Sequence, residues 1–105
     1  MSSDRIAQLE RLLEVDPDDA FCLYGLAMEH AKAGAHDEAV RWFDRVLEVE
    51  PTHAYACYHR ARTLEEAGRT DEAVASCRDG LERARRGGDA KAVGELEALL
   101  DELAG

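Results

Sequence analysis

Proline is scarce in this chain, at two residues among 105, and aromatic residues make up only 6% of it. The composition leans towards helix. No apolar run approaches the roughly 20 residues that span a bilayer, and Met1-Ser2-Ser3-Asp4 has neither a basic start nor an apolar stretch. A membrane span and a secretory signal are therefore not expected, and the chain is read as cytoplasmic. Its three cysteines, Cys22, Cys57 and Cys77, are odd in number and lack CxxC spacing, so reduced thiols are expected instead of a disulfide framework. Cations are also in short supply. Thirteen Lys and Arg against 23 Asp and Glu give a net charge of −10, which disfavours nucleic acid and anionic lipid as partners. Hydrophobic residues at 46% and charged ones at 34% nevertheless suit a folded protein, and the length suits one domain spanning residues 1–105.

What is present is repetition at a spacing of 34 residues: Pro17 and Pro51, Gly34 and Gly68, and Tyr24 and Tyr58. Ala20, Ala27, Ala33, Leu47 and Glu48 recur as Ala54, Ala61, Ala67, Leu81 and Glu82 at the same offset, and Asp37-Glu38-Ala39-Val40 returns intact as Asp71-Glu72-Ala73-Val74. Two full units, 20–53 and 54–87, leave a half-unit at 4–19 and a closing segment at 88–105.

Each unit carries two helical stripes. In the first, Leu23, Leu26, Ala27 and His30 share one face, and Ala39, Val40, Phe43, Val46 and Leu47 share another, with Gly34 between them. Gly34 and Gly68 can close a helix in the left-handed conformation, Asp37-Glu38 and Asp71-Glu72 suit helix starts, and Pro17 and Pro51 end the helices before them. Asp18, Asp19, Thr52 and Thr70 offer N-caps. Six helices are expected, near 4–15, 20–33, 37–49, 54–67, 71–86 and 89–104. In the last, Val93, Leu96, Leu100 and Leu103 form an apolar stripe that reads as a C-terminal cap.

Leu23, Leu26, Ala27, His30, Ala39, Phe43 and Pro51 stand at the spacing of the pattern W-x2-L-G-x2-Y, A-x3-F, P, and Cys57, Arg60, Ala61, Leu64, Ala73, Cys77 and Arg85 repeat it. These units resemble tetratricopeptide repeats. Leu9, Leu13, Glu14 and Pro17 mirror Phe43, Leu47, Glu48 and Pro51, so 4–19 resembles the second half of a unit, with Arg5 where Ala39 and Ala73 stand. A lone half-unit tolerates that charge because it has no first helix to touch. Gly80 replaces the Val46 position, and close approach of the last helix would explain it. The resemblance implies an all-α solenoid of about six antiparallel helices in a right-handed superhelix.

The resemblance further implies a non-enzymatic module that binds a protein or peptide on the inner face of each unit's first helix. Helical geometry puts Phe21, Tyr24 and Met28 on that side of the first unit, with Ala31 and Lys32 extending the strip, and Tyr55, Tyr58, His59, Arg62 and Glu65 on that side of the second. Aromatic rings with a Met and an Arg suit an interface, although Tyr24 and Tyr58 also suit packing between neighbouring helices. Only Arg62 and Lys32 offer charge for gripping a carboxylate. The acidic balance, net −7 in residues 1–50 and −3 in 51–105, mildly favours a basic partner.

Other candidates carry little chemistry. His53 and Cys57 are four apart but make only two ligands, so a capping or solvated His53 and a buried Cys57 are expected, with no metal and no cofactor. His30 reads as a core histidine and Cys77 as a core thiol. Arg78, Arg83, Arg85 and Arg86 suit a helix C-terminus. No phosphate loop and no catalytic motif occurs. The alternative to groove binding is self-association through the terminal helices, which makes a homo-oligomer.

Overall fold

A computed structural model describes residues 2–105; Met1, the first residue of the reading given above, lies outside them. The described residues form six helices and no strand: α1 (Ser2–Val15), α2 (Ala20–Lys32), α3 (His36–Val49), α4 (Ala54–Glu66), α5 (Thr70–Arg86) and α6 (Ala90–Ala104). The chain divides into two compact units, Met1–Glu50 and Pro51–Gly105.

In the first unit α2 packs against both α1 and α3. Leu9, Leu23, Leu26, Ala27, Ala39, Phe43 and Val46 are buried there, and Leu9, Cys22 and Leu26 form a cluster flanked by Ile6, Leu13 and Trp42. Arg5 is exposed. His30 is only half-buried, which corrects its reading as a core histidine. It stands in the last turn of α2, where the chain is already turning into the loop.

In the second unit α4, α5 and α6 pack on one another in all three pairs. Ala56, Cys57, Ala61, Leu64, Ala73, Cys77, Ala84, Leu96 and Leu99 are buried. The face that α6 buries is Ala92, Leu96 and Leu99, while Val93, Leu100 and Leu103 are only half-buried. The expected stripe therefore sits one step round the helix from the observed one.

The turns follow from backbone chemistry. Gly34, Gly68 and Gly88 adopt φ of 76°, 78° and 70°, where a side chain would be strained. Around Gly34 the amide of Ala35 donates to the carbonyl of His30 and that of Gly34 to Ala31; Gly68 and Gly88 repeat the arrangement. The C-termini of α2, α4 and α5 thus each have several last-turn carbonyls satisfied. Asp19 caps α2 by accepting from the Cys22 amide, and His53 caps α4 by accepting from the Ala56 amide through Nδ1 at 3.2 Å. His53 is therefore the capping residue of the two readings offered for it, and it takes the place expected for Thr52. Thr70 is not a cap. The cap position belongs to Arg69, whose amide closes the preceding helix on Leu64, so α5 begins at Thr70 with no side-chain cap.

Proline accounts for the difference between the units. Arg85 replaces the proline expected from Pro17 and Pro51, and α5 runs 17 residues where α3 runs 14. The loop carbonyls before α2 and α4 are also held from within each unit. Arg45 Nη2 donates to the Pro17 carbonyl and to Asp18, and Arg83 Nη1 donates to the Pro51 carbonyl at 2.7 Å while its Nε is bound by Asp79. Arg85 pairs with Glu97 and Arg86 with Glu82, so the basic residues ending α5 have carboxylate partners besides the helix dipole.

Gly80 sits where a Cβ would lie 2.7 Å from Cys57 Cβ and 3.1 Å from two carbons of Leu96. The last helix does approach closely there, and α4 approaches more closely still. Gly80→Ala is expected to destabilise by about 1–3 kcal/mol despite alanine's better helix propensity, because Cys57 Cβ is fixed to its backbone. Gly94→Ala, where a Cβ meets open space, is expected to stabilise by about 0.5–1 kcal/mol. Urea denaturation of both variants measures this, and a Gly80→Ala protein as stable as the parent would contradict the packing.

Candidate functional site

The first helix of each repeat, α2 and α4, carries the residues expected to bind. On α2, Phe21 is 76% exposed, while Tyr24 and Met28 are half-buried. The Tyr24 ring meets Phe43 of α3 edge-on at 6.1 Å between centroids, so part of this tyrosine's surface serves hairpin packing. Phe21 has no such commitment to the core.

On α4, Tyr55, Tyr58, His59 and Arg62 are all half-buried and lie together. Tyr55 and Tyr58 meet at 6.4 Å and Tyr58 and His59 at 5.2 Å, both near edge-to-face, the arrangement that ring quadrupoles favour. The Arg62 guanidinium lies 5.5 Å from the Tyr58 ring centroid and Nη2 donates to the Tyr58 hydroxyl at 3.3 Å. Its Nη1 donates to Glu65 at 3.2 Å and to Glu102 of α6 at 3.0 Å. The single cation of this strip is thus held by two carboxylates.

A third acid borders the strip. Burial first, and then Glu95 of α6, which shares a hydrogen bond with the Tyr55 hydroxyl, push the Tyr55 pKa up. Burial lowers the His59 pKa, with Arg62 adding to the effect and Glu95 opposing it. His59 is accordingly neutral at physiological pH, and the strip with its rim carries one cation against Glu65, Glu95 and Glu102. Glu95 and Glu102 were not among the expected site residues. Their separation of seven residues puts them on one side of a helix, and that spacing was available in the sequence.

The thiols are packing groups. Cys22, Cys57 and Cys77 are buried. Burial pushes Cys57 up to about 12, helped by Asp79, to which its thiol donates at 3.7 Å, and burial pushes Cys77 up to about 11. Among the described residues no group of three or more His, Cys, Asp or Glu could hold a metal ion.

Residues 30–100 match one family model for the tetratricopeptide repeat and residues 6–48 match another. This chain belongs to the tetratricopeptide repeat family. A tetratricopeptide repeat domain protein from Salinibacter ruber, solved by solution NMR, is 33% identical with a TM-score of 0.76, over 84% of this chain and 89% of that one. The Yersinia enterocolitica type III secretion chaperone SycD, in complex with a peptide of the translocator YopD, is 17% identical with a TM-score of 0.86, over 98% of this chain and 79% of that one. The TPR2B domain in the pHsp70 complex of yeast Sti1 is 14% identical with a TM-score of 0.89, over 98% of this chain and 82% of that one. The last two show a shared fold. No curated protein matches the sequence. Within the tetratricopeptide repeat pattern, the Trp position holds Leu23 and Cys57, both buried, so smaller side chains fill a place that the family gives to a large one.

Two measurements test this electrostatic picture. Cys57 and Cys77 are expected to resist iodoacetamide at neutral pH in the native chain and to react in urea, because the thiolate is the nucleophile; rapid native labelling would contradict their placement. His59 titrates below its ordinary 6.5, so the unfolded chain binds its proton first as pH falls. The stability His59 contributes is therefore complete above that value and declines below it. His59→Asn should flatten the decline, as followed by denaturation against pH, and an unchanged slope would contradict the assignment.

Proposed function

We propose that this tetratricopeptide repeat chain is a non-enzymatic binding module that takes a protein or peptide segment on the half-buried strip of α4, formed by Tyr55, Tyr58, His59 and Arg62. A second strip, Phe21, Tyr24 and Met28 on α2, contributes contacts within the first unit. The observation that carries this reading is the α4 cluster itself: three rings meeting edge to face, half-buried, around an arginine. Such groups offer apolar area with polar tips at little entropic cost, which is why Tyr and Arg dominate interface hot spots. The peptide-bound chaperone SycD and the Sti1 complex support the reading by analogy of fold.

The acidic rim specifies the partner further. Glu65, Glu95 and Glu102 outnumber Arg62, so a segment with Lys or Arg gains favourable contacts at the strip and a steered approach to a chain of net charge −10. Arg62 is already satisfied, which makes it a support for Tyr58 and a poor clamp for an incoming carboxylate. A cytoplasmic setting, where three buried thiols stay reduced, belongs to the same reading.

An immobilised peptide series graded from acidic to basic tests this directly. Basic peptides should be retained, with binding that weakens as salt rises, and Tyr55→Ala with Tyr58→Ala should weaken retention about tenfold or more. Helical content and thermal midpoint serve as the control. Equal retention by the variant, or preference for acidic peptides, would overturn the proposal, and loss of folding in the variant would assign the tyrosines to packing.

A further inference from the structure

The two ends of the chain are complementary halves of one repeat. Counting from the N-caps Asp19, His53 and Asp89, the equivalent positions are Leu23, Leu26, Ala27 and His30 in α2, Cys57, Arg60, Ala61 and Leu64 in α4, and Val93, Leu96, Glu97 and Leu100 in α6. α6 is therefore a first helix whose second helix is absent among the described residues. At the other end, Arg5, Leu9, Leu12 and Leu13 of α1 stand where Ala39, Phe43, Val46 and Leu47 stand in α3. α1 is a second helix whose first helix is absent among the described residues.

The exposed residues match that reading. Val46 is fully buried, whereas its counterpart Leu12 is 54% exposed, and Val15 at the end of the same helix is 87% exposed. Arg5, Gln8, Arg11 and Leu12 line an open groove of about 360 Å³. On α6, Val93 and Leu100 are only half-buried, beside the exposed Glu97.

Charge identifies the occupant. In the complete hairpins, the first helix contributes Ala27 or Ala61 and the second contributes Ala39 or Ala73, all fully buried. At the open ends the same two positions hold Glu97 on α6 and Arg5 on α1. Two alanines are replaced by two opposite charges, one on each half. We infer that copies of this chain associate head to tail, α6 of one copy receiving α1 of the next, with Glu97 opposite Arg5 and with Leu12 against the Val93 and Leu100 edge.

The contact is heterologous, so each added copy presents another free α1 and α6, and the average mass grows with concentration. Glu97 is near Arg85 at 3.7 Å, an exposed pair that exchanges its partner at little cost. The interface is independent of the α4 tyrosines.

Sedimentation equilibrium across a concentration series tests the inference with the full chain alone. The parent chain should gain mass with concentration and lose that gain at high salt. Arg5→Glu and Glu97→Arg each set like charges opposite one another and should each weaken association about tenfold or more, with the thermal midpoint nearly unchanged because both residues are exposed. Mixing the two variants in equal amounts should restore association, since every contact between unlike variants again joins Glu to Arg. Leu12→Glu should abolish association. A parent chain that stays monomeric, single variants that associate like the parent, or a mixture that stays monomeric would each overturn the inference.

Discussion

The close approach of two helices at small side chains is the contact on which the rest of this structure depends. Ala27 and Ala39 in the first unit, and Ala61 and Ala73 in the second, stand fully buried on packed helix pairs. Small residues there let the larger ones on either side, Leu26, Phe43 and Val46, interdigitate and exclude water. In the second unit the same requirement reaches an extreme at Gly80, where no side chain fits between Cys57 and Leu96. A hairpin held this tightly fixes which side of α2 and α4 is turned inward. The opposite sides carry Phe21 on one and Tyr55, Tyr58 and Arg62 on the other, the latter bordered by Glu95 and Glu102 of α6.

Turn chemistry sets the register in which this happens. Three glycines at positive φ close helices, and the side chains of Asp19, His53 and Asp89 open them. Loss of the proline at position 85 allows α5 to continue, and the cap of α6 shifts by two residues from the repeat spacing. That shift brings Leu96 against Gly80, and Glu102 within hydrogen-bonding distance of Arg62. A missing proline in one loop thus determines the electrostatics of a surface on another helix.

Much of this was legible in the sequence because it rests on short-range rules. The 34-residue offset, the glycines and the alanine positions specify helices and hairpins locally, and the six observed helices agree with the expected ones to within about two residues at each end. Val93, Leu100 and Leu103 were less legible: an amphipathic stripe can rotate by one residue without changing its periodicity, and only packing against α4 and α5 decides that Leu99 turns inward. Thr70 misled for a related reason, since a capping side chain is useful only where the chain has not already entered the helix. The acidic rim around α4 was hidden because Glu95 and Glu102 approach it from another helix. Trp42 carries no weight in the sequence pattern, yet it packs beside Leu9, Cys22 and Leu26, at the position that Ser76 fills in the next unit with a hydrogen bond to the Cys57 carbonyl.

The fold, the half-buried aromatic strip and the uneven charge combine into one account, in which α2 with α3 and α4 with α5 form complete hairpins and the strip on α4 is the proposed site of recognition. The most direct measurement is an NMR titration of the full chain with a lysine-rich peptide. The account expects shifts concentrated at Tyr55, Tyr58, His59 and Arg62, with the buried Cys57, Ala61 and Leu64 on the same helix unmoved. Shifts confined to other helices, or none at millimolar peptide, would contradict it.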